Sequence, residues 1–347
     1  MKLASIRPTL ENEWGIHLAQ DAELLPREYR RNFDVALDAQ PTLVTTANSG
    51  IPGWLASYVD PEVIRILQTP NKGAEILGEE KSGDWTTETA TFMVVENTGE
   101  VAPYGDWSNN GHSDANVDWV NRQSYLFQTV VQYGDLQVDR AGLARLNWVG
   151  ELQTSAAATL AKFQDYTYHF GVAGLANYGI LNEPSLPAAL TPSTKAAGGT
   201  KWVNNGVVVA TANEIYSDIQ GMVLDLVSRT SGIIQKSDAL KLVMAPQSDV
   251  ALMQTNQFGI NVLDLLQKNF PSLTVVTDPR YATASGNVVQ LWADRFNGVR
   301  PAVCAFNEKL RDHQIVRMLS SYAQKKTSGT WGVVVKAPIA VSQMLGV

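Results

Sequence analysis

AGLARLNWVGELQTSAAATLAKFQDYTYHFGVAGLANYGILNEP (141–184) is the stretch on which the reading of the fold turns. Leu143, Leu146, Val149, Leu152, Ala156, Leu160, Phe163, Tyr166 and Phe170 recur at steps of three and four, the period of one helix face, with no proline among them. The spacing predicts one very long helix, with Asp139 as N-cap and Gly171 and Gly174 as stop signals. At ~1.5 Å per residue such a rod is ~45 Å long. Ordinary helices average ~11–12 residues, so this one is expected to span a flat or elongated molecule. GVAGLANYGILNEPSL (171–186) then reads as a loop and a short apolar run.

The rest of the composition frames that rod. A chain of 347 residues predicts two or three domains, and 45% apolar residues suit a sizeable core. A net charge of −7 gives no pull toward nucleic acid or anionic membrane. No run of 18 apolar residues exists, and MKLASIRPTLENEW lacks the apolar stretch of a secretory signal, so no membrane partner is expected. The single cysteine, Cys304, lies in PAVCAF and reads as a buried, inert thiol. His17, His112, His169 and His313 have no metal-ligand spacing. No cofactor motif is present, and none is expected.

Outward from the rod toward the N-terminus, residues 1–48 are polar and mixed, with a helix expected from Ala22 to Leu37. Lys2, Arg7, Arg27, Arg30 and Arg31 make this segment locally basic. PTLVTTANSGIPG (41–53) suits an extended connector, and SYVDPEVIRIL (57–67) a packed apolar segment. Residues 75–135 read as a long two-stranded excursion. Its outgoing strand lies near Trp85 to Val95, and its tip, 96–114, is dense in Gly, Asn, Asp and Pro. Its return strand places Tyr125, Phe127, Thr129, Val131 and Tyr133 on one face. A hairpin of that length does not stabilise itself in water, so a partner surface is expected, most simply another copy of the chain.

Toward the C-terminus, TPSTKAAGGTKWVNNG (191–206) reads as a flexible surface loop. TANE (211–214) is a capping-box pattern opening a helix with Ile215, Ile219, Met222, Val223 and Leu226 on one face. KLVMAP (241–246), LTVVTD (273–278), NVVQLWAD (287–294) and PAVCAF (301–306) read as strands, alternating with short helices near 248–256 and 261–269. QIVRMLSSYAQ (314–324) and WGVVVKAP (331–338) read as long β segments.

The order of these parts resembles the major capsid proteins of tailed bacteriophages, with the α+β fold known as the Hong Kong 97 type. GLANYGILNEPSL (174–186) resembles that family's passage from spine helix to axial domain. The resemblance implies an N-terminal arm (1–48), a first part of the peripheral domain (49–74) and an extended loop with flanking strands (75–135). It further implies a spine helix (136–170), an axial domain (171–312) and return strands of the peripheral domain (313–347). It implies a non-enzymatic virion protein that self-assembles, as pentamers and hexamers, into the icosahedral shell around a double-stranded DNA genome, built in the bacterial host cytoplasm. The implied partners are portal, scaffold and decoration proteins, with weak, non-specific contact to packaged DNA. About 48 residues before the first domain-like segment leave little room for a built-in scaffold, so a separate scaffold, or none, is expected.

On that resemblance the candidate subunit-interface anchors are Trp85, Phe92, Tyr104, Trp107, Trp119, Tyr125 and Phe127, because buried aromatics dominate such contacts. Arg27, Arg30 and Arg31 are the inward-facing basic candidates, Lys81 a residue for a covalent cross-link, and the glycines of 171–206 joints that adjust between rings. An encapsulin-like shell shares the fold and is the alternative. A remote alternative is a retaining glycosidase: Asn182-Glu183-Pro184 resembles the end of a barrel strand, with Glu183 as acid/base and Glu308 as nucleophile. Against it, a barrel needs eight strand–helix units, and a hairpin and one helix precede Glu183 instead.

Overall fold

The computed structural model describes residues 71–143 and 146–347. The N-terminal expectations, including the Ala22–Leu37 helix and Arg27, Arg30 and Arg31, lie outside the described residues. In chain order the elements are α1 (Gly73–Leu77), β1 (Glu79–Lys81), β2 (Thr89–Gly99), β3 (Ser113–Gln123), β4 (Tyr125–Gly134), α2 (Asp135–Leu143) and α3 (Trp148–Phe170). Then come β5 (Val203–Asn204), β6 (Val207–Val208), α4 (Ala212–Arg229), β7 (Leu240–Met244), α5 (Pro246–Ala251), α6 (Val262–Asn269) and β8 (Leu273–Thr277). The chain closes with β9 (Ala282–Thr283), β10 (Gly286–Ala293), β11 (Ala302–Asp312), β12 (Val316–Arg317), β13 (Ser321–Val335) and β14 (Val341–Leu345).

The rod is real but shorter than the periodicity implies. α2 ends before Leu146, whose N–H closes back on the Ala141 carbonyl at 2.9 Å, a bond typical of a helix end. Asn147 then caps α3, accepting from Gly150 N–H at 3.2 Å. Asp139 lies inside α2 and is not the cap. The apolar step from Leu143 through Leu146 to Val149 carries the helical period across this break, which is why the pattern conceals it. The 23 residues of α3 span ~35 Å.

The described chain forms two compact units. The first holds Gln128–Phe163 and Leu310–Thr327. Val131, Ala156, Leu160 and Phe163 are buried in it. Tyr133 stacks on Tyr322 with ring centroids 5.3 Å apart, and Gln153 Nε2 donates to Gln324 Oε1 at 2.8 Å. The expected long strand 314–324 is here a tight hairpin instead: β12 pairs Val316 with Ala323 and Arg317 with Tyr322 of β13.

The second unit runs to Phe127 and adds Gln164–Lys309 and Ser328–Val347. Its main sheet has the order β14-β10-β7-β8, antiparallel except for the parallel pair β7–β8. Leu242 and Met244 face a core made with Ile215, Ile219, Met222 and Leu226 of α4, while Val243 faces a second core with Ile76, Ile180, Trp292 and Cys304. Burial on both faces explains why β7 reads as a continuous apolar run. The capping box of α4 is present: Thr211 N–H donates to Glu214 Oε2 at 2.8 Å and Glu214 N–H to Thr211 Oγ1 at 3.4 Å. Residues 313–347 do not return as one piece. β14 is an edge strand of this sheet, pairing Val289 with Met344, because Val341 and Met344 are apolar enough to cover its two faces.

Two polar clusters inside the second unit were not legible in the sequence. Lys195 and Asp218 form a buried ion pair, and Trp202 Nε1 donates to Asp218 Oδ2 at 2.7 Å. The stretch 191–206 is therefore anchored in the core, not a free surface loop. His169 is fully buried, with Nε2 2.8 Å from Asp278 Oδ2 and Nδ1 2.7 Å from the Asp165 carbonyl. Burial pushes the Asp278 carboxyl up, but its hydrogen bond and charge contact with His169, aided by Arg280, hold it below the usual carboxylate range.

Candidate self-assembly surface

The hairpin β2–β3 is in register from Thr89↔Gln123 to Gly99↔Ser113. Its return strand is Ser113–Gln123, not the expected Tyr125–Tyr133 segment. The latter is β4, which pairs with β13 in another sheet. SDANVDWVNRQ is rich in Asn and Asp, poor strand formers, so its pairing is carried by the partner strand and not by propensity.

Period two divides the hairpin into two faces. At its root, Ala90 and Phe92 pack on a small core of Val303, Ala305, Trp331 and Val334. On the opposite face the cross-strand pairs Met93↔Trp119 and Val95↔Val117 form one apolar patch. All four are exposed, at 57, 56, 48 and 46% respectively. At the tip, Val101, Tyr104 and Trp107 are exposed by 93% or more, and Tyr104 Oη donates to Asp106 Oδ1 at 2.7 Å. Among the described residues the ribbon has no hydrophobic core beyond its root and its apolar face stays 46–57% exposed, which leaves it incomplete as a solvent-exposed element.

The root is fixed by buried polar contacts. Arg122 Nη2 lies 2.9 Å from both oxygens of Glu183, with side chains 7 and 3% exposed. The guanidinium also lies over the Tyr178 ring, 5.2 Å from its centroid. Gln123 N–H donates to the Ala176 carbonyl at 3.0 Å, and Asn177 Nδ2 donates to the Gln123 carbonyl at 3.2 Å. The turn after α3 is therefore clamped to the hairpin. It is also closely packed. A Cβ on Gly171, at φ 63°, would sit 2.2 Å from the Asn177 oxygen, and one on Gly179 2.2 Å from the His169 carbonyl carbon. These two glycines serve close backbone approach, which corrects the expectation that they are adjustable joints.

Of the seven aromatic candidates, Tyr104, Trp107 and Trp119 are exposed on the hairpin, and Phe92 packs at its root. Trp85, Tyr125 and Phe127 are half-buried, the last two stacked with ring centroids 6.4 Å apart. Met93, Val95 and Val117 were missed. The signal that finds them is the cross-strand register, which needs the correct return strand. Lys81 is exposed beside Asp84 at 3.8 Å. Glu183 is not the exposed turn carboxylate its neighbour Pro184 suggests, since Arg122 and Ser185 Oγ occupy its oxygens. Glu308 lies on β11, its backbone N–H held by Asn307 Oδ1 at 3.0 Å. Among the described residues no group of three or more His, Cys, Asp or Glu side chains is placed to hold a metal, and no helix is long and apolar enough to cross a membrane.

Comparison with known proteins agrees with this architecture. The capsid of Myoviridae phage XM1 superposes with a TM-score of 0.68 at 14% identity, covering 86% of this chain and 99% of that one. The capsid of the native GTA particle gives 0.60 at 12% identity, covering 87% and 99%. The structure titled Mycobacterium phage Bobi gives 0.55 at 11% identity, covering 84% and 95%. At these identities the likeness establishes the fold, that of the Hong Kong 97-type capsid subunit. No curated protein gives a significant sequence match. The family model of the Pa193 gp26 major capsid protein matches residues 42–346, most of the chain. The chain therefore belongs to the Pa193 gp26 major capsid protein family and is a structural protein of a phage head shell.

Proposed function

We propose that each copy lays the hairpin β2–β3 on a neighbouring copy, within pentameric and hexameric rings that close into an icosahedral shell. The observation that carries this reading is the apolar face of Met93, Val95, Val117 and Trp119, which the described residues leave 46–57% exposed. Trp119, Tyr104 and Trp107 are the aromatic anchors on this reading, since rigid rings give large contact area at small entropic cost. Trp85, Tyr125 and Phe127 serve their own subunit. Many modest interfaces repeated around each copy give the shell its strength.

On the same reading the shell encloses double-stranded DNA, Arg27, Arg30 and Arg31 face inward to it, and the virion is assembled in the host cytoplasm. Portal, scaffold and decoration proteins are its further partners. The role is structural, without catalysis: Glu183 positions the hairpin through Arg122. The domain division is an arm (1–48), peripheral segments (49–74, the 136–170 helices and 313–327) and an axial domain from 171 that takes in β14.

Electron microscopy of the purified protein tests this directly. Polyhedral particles are expected from the full chain. A chain in which a two-residue Asn-Gly turn replaces 97–115 is expected to fold and to form none. Particles from that shortened chain would overturn the reading.

A further inference from the structure

The two strands of the hairpin differ at their outer edges. Glu100 N–H donates to the His112 carbonyl at 2.8 Å and Ser124 N–H to the Glu88 carbonyl at 2.9 Å, one at each end of the β2–β3 register. Hydrogen-bonded and open pairs alternate along an antiparallel ladder. The even-numbered residues of β2 and β3 therefore bond to each other, and the odd-numbered ones turn N–H and C=O outward. Gln123 obeys this parity: its N–H and carbonyl bond outside the ribbon, to Ala176 and Asn177. On β3 the outward N–H groups of Ala115 and Trp119 are taken by Asp114 Oδ1 and Asp118 Oδ1, each at 2.8 Å. Occupied donors and carboxylate charge blunt that edge against a further strand.

The edge of β2 has no such protection. The outward backbone groups of Thr89, Thr91, Met93, Val95, Asn97 and Gly99 have no hydrogen-bond partner among the described residues. TATFMVVENTG holds no proline, no lysine and no bulge, and its only charge is Glu96. A long, flat, largely apolar edge invites another strand. The sequence is also complementary to itself. Antiparallel and in full overlap, Thr89 meets Gly99, Thr91 meets Asn97 and Met93 meets Val95, so outward donors face outward acceptors throughout. Glu96 then faces Phe92 and not a second Glu96. Asp114 and Asp118 of the two copies lie on the far strands, about 14 Å apart at about 4.8 Å per strand. That exceeds the screening length of about 10 Å at 0.1 M salt.

We propose that β2 of one copy pairs antiparallel with β2 of a second copy across a two-fold axis, giving one sheet in the order β3-β2-β2-β3. This rests on the shell reading, but it uses the edge of the hairpin and not its apolar face. The pairing supplies the further strands that a lone two-stranded ribbon needs in water. It also sets Met93, Val95, Val117 and Trp119 of both copies on one side of the sheet, because directly opposed residues share a face. An isologous contact is saturated by two copies and cannot close a ring of five or six. It therefore links one ring to the next, while the contacts within each ring are made by other surfaces.

Proline and cysteine substitutions in the full chain test the pairing. T91P/N97P removes only outward N–H groups, so the ladder within the hairpin is kept. Electron microscopy is expected to show free rings and no closed particles. Ala115→Pro, on the blunted edge, is expected to assemble like the parent. T91C/N97C places a cysteine pair across the seam, about 5.5 Å apart at Cα, within disulfide reach. Cys304 is buried and does not compete. Oxidised particles of T91C/N97C are expected to give covalent dimers, and nothing larger, on a non-reducing gel. Closed particles from T91P/N97P would overturn the proposal, as would the absence of a covalent dimer. A ladder of higher oligomers would overturn it too, since only a two-fold contact stops at two. These results would leave the hairpin reading standing; assembly of the shortened chain would sink both.

Discussion

Glu183→Gln isolates the pin at the root of the hairpin. The substitution keeps the shape of the side chain and removes its charge, leaving the Arg122 guanidinium buried opposite a neutral amide. Both side chains are nearly inaccessible, at 7 and 3%, and the two contacts are 2.9 Å long. Breaking one partner of a pair this buried costs about 3–5 kcal/mol, most of it the stranded charge. Replacing both partners by apolar residues, as in R122M/E183L, removes the desolvation penalty together with the attraction, and is expected to be neutral to within ~1 kcal/mol or stabilising. Urea unfolding of the dissociated subunit, followed by tryptophan fluorescence, measures both. Hydrogen exchange at Gln123 and Ser124, whose N–H groups bond to Ala176 and Glu88, reports whether the hairpin root loosens. A loss below ~1 kcal/mol in Glu183→Gln, with unchanged exchange at those amides, would refute the assignment of this pair as the pin.

Three further outcomes follow from particular contacts. Gly179→Ala is expected to destabilise the subunit by more than ~3 kcal/mol, since the added carbon meets the His169 backbone at 2.2 Å; thermal denaturation checks it. Val95→Asp, on an exposed face, is expected to leave subunit stability within ~0.5 kcal/mol while preventing assembly, as measured by urea titration and light scattering. Asp278 has a depressed folded-state pKa, so its stabilising contribution is full above the unfolded value of about 3.9 and is lost as pH falls through the lower folded value. The stability gap between the parent and Asp278→Asn is therefore expected to narrow as pH drops below about 4 in acid-unfolding measurements; a gap that is constant with pH would contradict the His169–Asp278 contact.

Elements set by local pattern were legible in the sequence. The Thr211–Glu214 box and the apolar face of α4, the doubly buried β7 and the buried Cys304 are all present where the residues indicate. What was misread depends on partners distant in sequence. Glu183 looks like a turn carboxylate until Arg122, 61 residues earlier, is placed against it. Lys195 lies in a Gly- and Thr-rich stretch that reads as a loop, and only Asp218 shows it to be interior. The hairpin was anticipated, but its return strand was not, because Asn and Asp in β3 conceal a strand whose pairing is dictated by β2. The alternating apolar residues of β4 offered a better-looking substitute that belongs to another sheet. The rod was overextended because a cap at Asn147 interrupts the backbone without interrupting the apolar period.

A cryo-electron microscopy reconstruction of the assembled protein is the most direct measurement of the claim that this subunit is completed by its copies. It is expected to show closed polyhedral particles in which the Met93–Trp119 face of each hairpin lies against a neighbouring subunit. Particles whose hairpins fold over their own subunit, or project uncovered into solvent, would contradict it.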